Sequence, residues 1–147
     1  MRSIKRWTKV LLCIVLALVL LVGAYVVYVF AAYHRIGDQV LTPGGTAATQ
    51  SAAAGQSYQV TSYNIGFGAY ESDYGFFMDG GTESRAWSEE RLNRNLNSIA
   101  VFLKEQRSDF YLLQEVDIDA TRSYHVDERQ PLYQALEGMC HVFAQNY

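Results

Sequence analysis

The distribution of apolar residues divides the chain into a membrane-type segment and a globular segment. Residues 10–32 form a run of 23 residues without a charge, an amide or a proline. About 20 apolar residues in a helix span the roughly 30 Å hydrocarbon core of a bilayer. The apolar stretch of a cleaved signal peptide is usually only about 7–15 residues long. The run therefore predicts a retained transmembrane helix over residues 10–32.

The charges that flank this run predict its orientation. Residues 1–9 contain four basic side chains and no acidic one, whereas Arg35 and Asp38 nearly cancel after the run. Basic flanks stay on the cytoplasmic side of a membrane. We expect a single-pass protein of the cell membrane with residues 1–9 in the cytoplasm and the following domain outside it.

The pattern after residue 57 is typical of an α/β domain. Residues 33–57 are rich in small and polar residues and predict a flexible linker. The domain that follows, residues 58–147, begins with a predicted strand over 58–65, a helix over 88–106 and a strand over 109–116. A shorter helix near 131–137 and a strand over 140–144 complete it. The last residues of strand 109–116 are Gln114-Glu115-Val116, and the apolar run before them predicts a strand buried on both faces.

A long loop, residues 66–87, separates the first strand from the helix. It contains five glycines and four acidic residues, among them Asp79, and loops of this length in compact domains are often functional. The helix after it has a clear start, because Ser88 is a good N-cap and two acidic residues follow it.

Two polar residues end the two main strands. If these strands pair in parallel, a right-handed crossover brings Asn64 and Glu115 to the same edge of the sheet. A carboxylate at the end of a buried strand is costly unless a positive group meets it. A divalent cation such as Mg²⁺ or an arginine side chain would each satisfy Glu115.

The sequences SYNIGFG (residues 62–68) and LLQEVD (residues 112–117), separated by an amphipathic helix, resemble the opening part of the endonuclease/exonuclease/phosphatase superfamily, the DNase-I-like phosphoesterases. The resemblance implies a partial DNase-I-like α/β sandwich preceded by one transmembrane helix. It also implies that Asn64 orients a metal-phosphate site and that Glu115 binds Mg²⁺ (or Mn²⁺). The implied activity is hydrolysis of a phosphodiester or phosphomonoester.

The later motifs of this family do not occur in residues 1–147. An Asp-x-Asn segment and a terminal Ser-Asp-His, which supply the water-activating His-Asp pair, are absent. We therefore expect residues 58–147 to be the N-terminal part of the domain, truncated and inactive as it stands.

The loop after Glu115 contains the remaining candidate residues. Arg122 could bind a phosphate with two hydrogen bonds or bridge Asp117 or Asp119. His125 is the histidine nearest the expected site and a candidate for contact with the substrate. In the first loop, Asp79 could face the same crevice.

Residues 36–147 carry seven basic and fifteen acidic side chains, a net charge of −8. An acidic surface gives no long-range attraction for a nucleic-acid backbone. A lipid headgroup or a small phosphate ester is thus favoured over nucleic acid as the substrate, the membrane is contacted through residues 10–32, and no protein partner is predicted. A membrane-tethered binding or scaffold domain without catalytic activity is the alternative.

Overall fold

The computed structural model describes residues 2–46 and 51–145. Residue 1, residues 47–50 of the predicted linker and residues 146–147 of the predicted domain lie outside the described residues. The chain divides into two compact units, one that contains the N-terminal helix and one formed by Leu41–Phe143.

The N-terminal unit contains one long helix, α1 (Arg2–Ala32). Its segment Lys5–Ala32 has a mean hydropathy of 3.2 and is long and apolar enough to cross a membrane. Its large apolar side chains are exposed. The predicted helix over residues 10–32 is therefore confirmed as a helix, and it begins eight residues earlier than predicted. Its orientation and its place in the cell membrane stay predictions.

The second unit is mixed α/β with two small sheets. Its elements are β1 (Gly44–Gly45), β2 (Val60–Asn64), α2 (Glu89–Gln106), β3 (Phe110–Gln114), α3 (Arg129–Ala135) and β4 (Cys140–His141), with short 3₁₀ turns at Gly66–Gly68, Phe77–Asp79 and Thr121–Ser123.

Strand β1 lies inside the predicted linker and pairs antiparallel with β4, Gly44 opposite His141 and Gly45 opposite Cys140. The composition of the linker gave no signal for this pairing, because two glycines form a ladder with their backbones alone.

Strands β2 and β3 pair in parallel, with Val60 opposite Phe110 and Asn64 opposite Gln114. Helix α2 connects them, so the predicted β-α-β unit is confirmed. Helix α2 begins where its cap predicts, since the Ser88 hydroxyl accepts a hydrogen bond from the Arg91 backbone N–H at 3.1 Å. Its apolar side chains Leu92, Leu96 and Leu103 are almost completely buried.

The prediction that strand 109–116 is buried on both faces was wrong. Alternate residues of β3 are exposed, with Phe110 at 44% and Leu112 at 56%, and Val60 on β2 is likewise exposed at 54%. Tyr111 and Leu113, on the other face, pack against the core. An uninterrupted apolar run does not distinguish a strand covered on both faces from one with an exposed apolar face.

Candidate functional site

The ends of the two parallel strands bring Asn64 and Glu115 into direct contact. The Asn64 Nδ2 donates a hydrogen bond to Glu115 Oε1 at 2.8 Å. The Asn64 Oδ1 accepts one from the backbone N–H of Gly66 at 2.9 Å. Both polar atoms of the Asn64 amide are thus engaged, one by the chain that leaves β2 and one by the Glu115 carboxylate. The predicted neighbourhood of these two residues is confirmed.

The backbone around this contact is held in an uncommon conformation. Glu115 has a φ of 53°, in the left-handed region, which costs an L-residue about 1 kcal/mol. Its carbonyl oxygen accepts a hydrogen bond from the Phe67 N–H at 3.0 Å, and Ile65 N–H donates to the Gln114 carbonyl at 3.0 Å. Backbone strain of this kind is often found at functional sites. The two backbone hydrogen bonds join the chain segments at the ends of β2 and β3 to each other.

The chain that leaves β2 turns sharply through three left-handed residues, Gly66, Phe67 and Gly68. Gly68 has a φ of 62°, and a Cβ atom there would lie 2.8 Å from Leu92 Cδ1. Phe67, between the two glycines, is fully buried in the same core cluster as Leu92 and Leu96 of α2. The motif Gly-Phe-Gly after the first strand is therefore required by backbone geometry and packing.

Arg122 approaches the second oxygen of Glu115. Its Nη1 lies 3.4 Å from Glu115 Oε2, while its Nε and Nη2 donate to the two carboxylate oxygens of Asp117 at 2.8 and 2.9 Å. The guanidinium carbon also lies 4.1 Å from the centre of the Phe67 ring. The bridge from Arg122 to Asp117, one of the two roles that the sequence left open, is present, and the guanidinium also contacts Glu115. Binding of a phosphate by Arg122 stays a prediction.

The Asp117 side chain and backbone continue the polar network. Ser123, which is fully buried, donates from its hydroxyl to Asp117 Oδ2 at 2.9 Å. The backbone N–H of Asp117 donates to Glu128 Oε2 at 2.9 Å. Glu128 is fully buried, and its Oε1 has no hydrogen-bond partner among the described residues. Burial raises the pKa of Glu128 to about 8, and the nearby Asp117 carboxylate adds to this shift.

An open cleft of about 510 Å³ lies beside the Asn64–Glu115 pair. Asp79 and Tyr70 from the first loop line it together with that pair. The Tyr70 hydroxyl donates a hydrogen bond to Asp79. Partial burial and, after it, the hydrogen bond and charge of Asp79 together raise the pKa of Tyr70 to about 12. The prediction that Asp79 could face the crevice is confirmed, whereas Tyr70 was missed.

His125 does not contact Asn64 or Glu115 through any hydrogen bond seen in the described part of the chain. Its Nδ1 lies 2.6 Å from Asp119 Oδ1, and both side chains are mostly exposed. His125 also has a left-handed backbone, with φ at 61°. It therefore lies on the loop that leaves the site, oriented by Asp119 and open to solvent.

The donor atoms at this edge are compatible with a water-rich Mg²⁺ site. No group of three or more His, Cys, Asp and Glu side chains that could hold a metal occurs within residues 2–46 and 51–145. Mg²⁺, however, is often bound by only one or two carboxylates and keeps several waters. Glu115, whose two oxygens are each fixed by one neighbour and whose side chain is 39% exposed, offers one such carboxylate.

Scans against protein-family models, curated proteins and solved structures each found no match to this chain.

Proposed function

We propose that this chain is part of a membrane-anchored, metal-dependent phosphoesterase of the DNase-I-like type, which hydrolyses phosphate esters with Mg²⁺ (or Mn²⁺). The observation that supports the proposal most strongly is the 2.8 Å contact between Asn64 and Glu115 at the ends of two parallel strands. Ligand sites in open α/β sheets collect at this edge. The motifs that carry the resemblance, residues 62–68 and 112–117, supply these two residues.

In this proposal Glu115 holds the divalent cation and Asn64 holds Glu115. The cation, when bound, neutralises negative charge on the phosphoryl oxygens of the substrate. Asn64 fixes the rotamer of the carboxylate through its amide N–H, and the Gly66 backbone fixes Asn64 in turn. His125, oriented by Asp119, is the imidazole available on the loop that follows, and we propose that it contacts the substrate.

The proposed fold of the complete domain is a two-layered α/β sandwich. The exposed apolar face of β2 and β3, which includes Val60, Phe110 and Leu112, supports it. Parallel sheets in proteins are almost always covered on both faces. In the proposed sandwich a second sheet packs on this face.

The charge around the cleft supports a small phosphate ester or a lipid headgroup as the substrate. Asp79 and Glu115 line the cleft, and no Lys or Arg is among its described lining residues. An anionic phosphate would therefore depend on the bound cation for its attraction. The same acidity disfavours the polyanionic backbone of nucleic acid. The proposed location is the cell membrane, with α1 as the anchor.

The test is metal-dependent hydrolysis of bis-(p-nitrophenyl) phosphate by the protein that the complete reading frame encodes, purified in detergent. We expect activity with Mg²⁺ or Mn²⁺ that EDTA abolishes and that Glu115→Ala lowers at least about 100-fold, because catalysis by a metal depends on its ligand. Glu137→Ala, which removes an exposed carboxylate, is the matched control. Activity that Glu115→Ala leaves unchanged would refute the proposed site.

A binding or scaffold domain is the second candidate. In this alternative the domain keeps the Asn64–Glu115 contact and the fold without the chemistry of hydrolysis. A protein from the complete reading frame that binds the metal through Glu115 but hydrolyses no phosphate ester would establish this second function. Hydrolysis that depends on Glu115 would exclude it.

A further inference from the structure

The Asp117–Arg122 ion pair lies next to one carboxylate oxygen of Glu115. Arg122 contacts Glu115 Oε2 through Nη1, and its other two bonding nitrogens face Asp117. The Phe67 ring beneath the guanidinium fixes its plane. The Arg122 side chain is only 21% exposed and that of Asp117 only 12%. The guanidinium is thus held in a fixed orientation beside Glu115, outside the residues that line the cleft.

We propose, on the basis of the function proposed above, that Arg122 is a positioning residue for Glu115 and that Asp117 cancels its charge, so that the site still attracts a divalent cation. Asn64 holds Oε1 and Arg122 approaches Oε2, so both carboxylate oxygens are fixed from the protein side. Each oxygen keeps further acceptor capacity for a cation or its waters.

The charges explain why an aspartate accompanies the arginine. An unpaired guanidinium this close to Glu115 would repel a divalent cation, and its low exposure would limit screening by salt. The two hydrogen bonds from Arg122 to Asp117 neutralise it, and the group of three side chains keeps a net charge of −1. Two hydrogen bonds hold Asp117 in place. The Ser123 hydroxyl donates to the Asp117 carboxylate, and the Asp117 backbone N–H donates to the Glu128 carboxylate.

A simple structural role and this charge-balancing role predict different results. Asp117→Asn removes one negative charge beside Arg122, and we expect it to weaken Mn²⁺ binding about tenfold, as a change of one charge at this range does. Replacing Arg122 as well, in the double variant Asp117→Asn with Arg122→Met, restores the net charge. We expect the double variant to bind Mn²⁺ more tightly than Asp117→Asn alone. If the Asp117–Arg122 pair had only a structural role, the double variant would bind Mn²⁺ no more tightly than Asp117→Asn.

The chain contains a matched control. Asp127 and Arg129 form an ion pair of the same kind, with two hydrogen bonds at 2.8 and 2.7 Å and an aromatic ring near the guanidinium. In the described residues, neither side chain forms a hydrogen bond or an ion pair with Asn64 or Glu115. Asp127→Asn is therefore expected to leave Mn²⁺ affinity within about twofold of the unsubstituted protein.

The experiment titrates Mn²⁺ into the full chain in detergent micelles and follows the electron paramagnetic resonance signal of the free ion. Circular dichroism melts of every variant monitor folding. If Asp117→Asn melts early, Arg122→Lys is used instead, because it keeps the charge but loses the planar two-bond contact, and we expect Mn²⁺ binding about threefold weaker.

The outcomes separate the two proposals. Weakening by Asp117→Asn that the second substitution reverses, with Asp127→Asn unchanged, supports the charge-balancing role. Two outcomes overturn this role and leave the proposed function standing. In the first, Mn²⁺ binding is lost in Glu115→Ala but is unaffected by Asp117→Asn, or by Arg122→Lys where that variant replaces it. In the second, the double variant binds Mn²⁺ no more tightly than Asp117→Asn. Failure of the unsubstituted chain to bind Mn²⁺ overturns both.

Discussion

Glu128 predicts an unusual pH dependence of stability. Its carboxyl is fully buried, and burial raises its pKa from 4.5 to about 8. In the unfolded chain Glu128 loses its proton near pH 4.5, whereas in the folded protein it keeps the proton to about pH 8. Between these values the folded state binds more protons than the unfolded state. The free energy of unfolding therefore falls as the pH rises through this window.

The size of the effect follows from the shift. One pKa unit corresponds to about 1.36 kcal/mol, so the free energy of unfolding falls by at most roughly 5 kcal/mol across this pH window. Glu71 does not obscure it. The hydrogen bonds from Arg91 lower the pKa of Glu71 to about 2, and its contribution is fully present above pH 4.5 and is lost only as the pH falls toward 2.

The perturbation is Glu128→Gln, which keeps an acceptor for the Asp117 N–H but cannot ionise. Urea unfolding of the full chain is followed by Trp87 fluorescence in a Trp7→Phe background at pH 5, 6, 7 and 8. These titrations give the change of the free energy of unfolding with pH. The stability of Glu128→Gln relative to its parent should rise by up to about 4 kcal/mol from pH 5 to pH 8. Glu137→Gln is the control on an exposed carboxylate. Parallel pH profiles for the parent and Glu128→Gln would refute the buried, protonated state of Glu128.

Two further predictions concern how the first loop and α2 are built. Ser88→Ala removes the acceptor of the Arg91 N–H and should lower the free energy of unfolding by about 1 kcal/mol in urea titrations, and an unchanged midpoint would contradict the cap. Gly68→Ala combines a left-handed φ of 62° with a Cβ that would lie 2.8 Å from Leu92 Cδ1, so we expect a loss of about 2 kcal/mol or more, measured in the same way. A Gly68→Ala variant as stable as its parent would show that the turn after β2 is formed differently.

The sequence predicted the contact between Asn64 and Glu115 because strand pairing and crossover handedness leave few arrangements of a β-α-β unit. Asn64 is the last residue of β2 and Glu115 directly follows β3, so their edge of the sheet could be assigned without knowledge of the loops. The predicted range of α2 was correct to one residue for the same reason, since an N-cap and a helical apolar period agree there.

The loops could not be predicted in this way. Arg122 had two acidic neighbours within reach along an irregular segment, and in the structure it lies in the turn Thr121–Ser123 with its guanidinium bonded to Asp117. Tyr70 contacts Asp79 within the irregular loop that follows three left-handed residues, and such a loop leaves no periodic signal in the sequence. The pairing of the two glycines of β1 with β4 left no signal in the sequence either. The exposed face of β3 was missed because apolar runs are ambiguous about the number of covered faces.

The central claim is that Glu115, fixed by Asn64, binds a divalent cation at the edge of the parallel sheet. The most direct measurement is anomalous diffraction at the manganese absorption edge from crystals of the full chain soaked in Mn²⁺. We expect an anomalous peak about 2.2 Å from a carboxylate oxygen of Glu115, and no such peak in crystals of Glu115→Gln. A peak only at other side chains, or an equal peak in Glu115→Gln, would contradict the account.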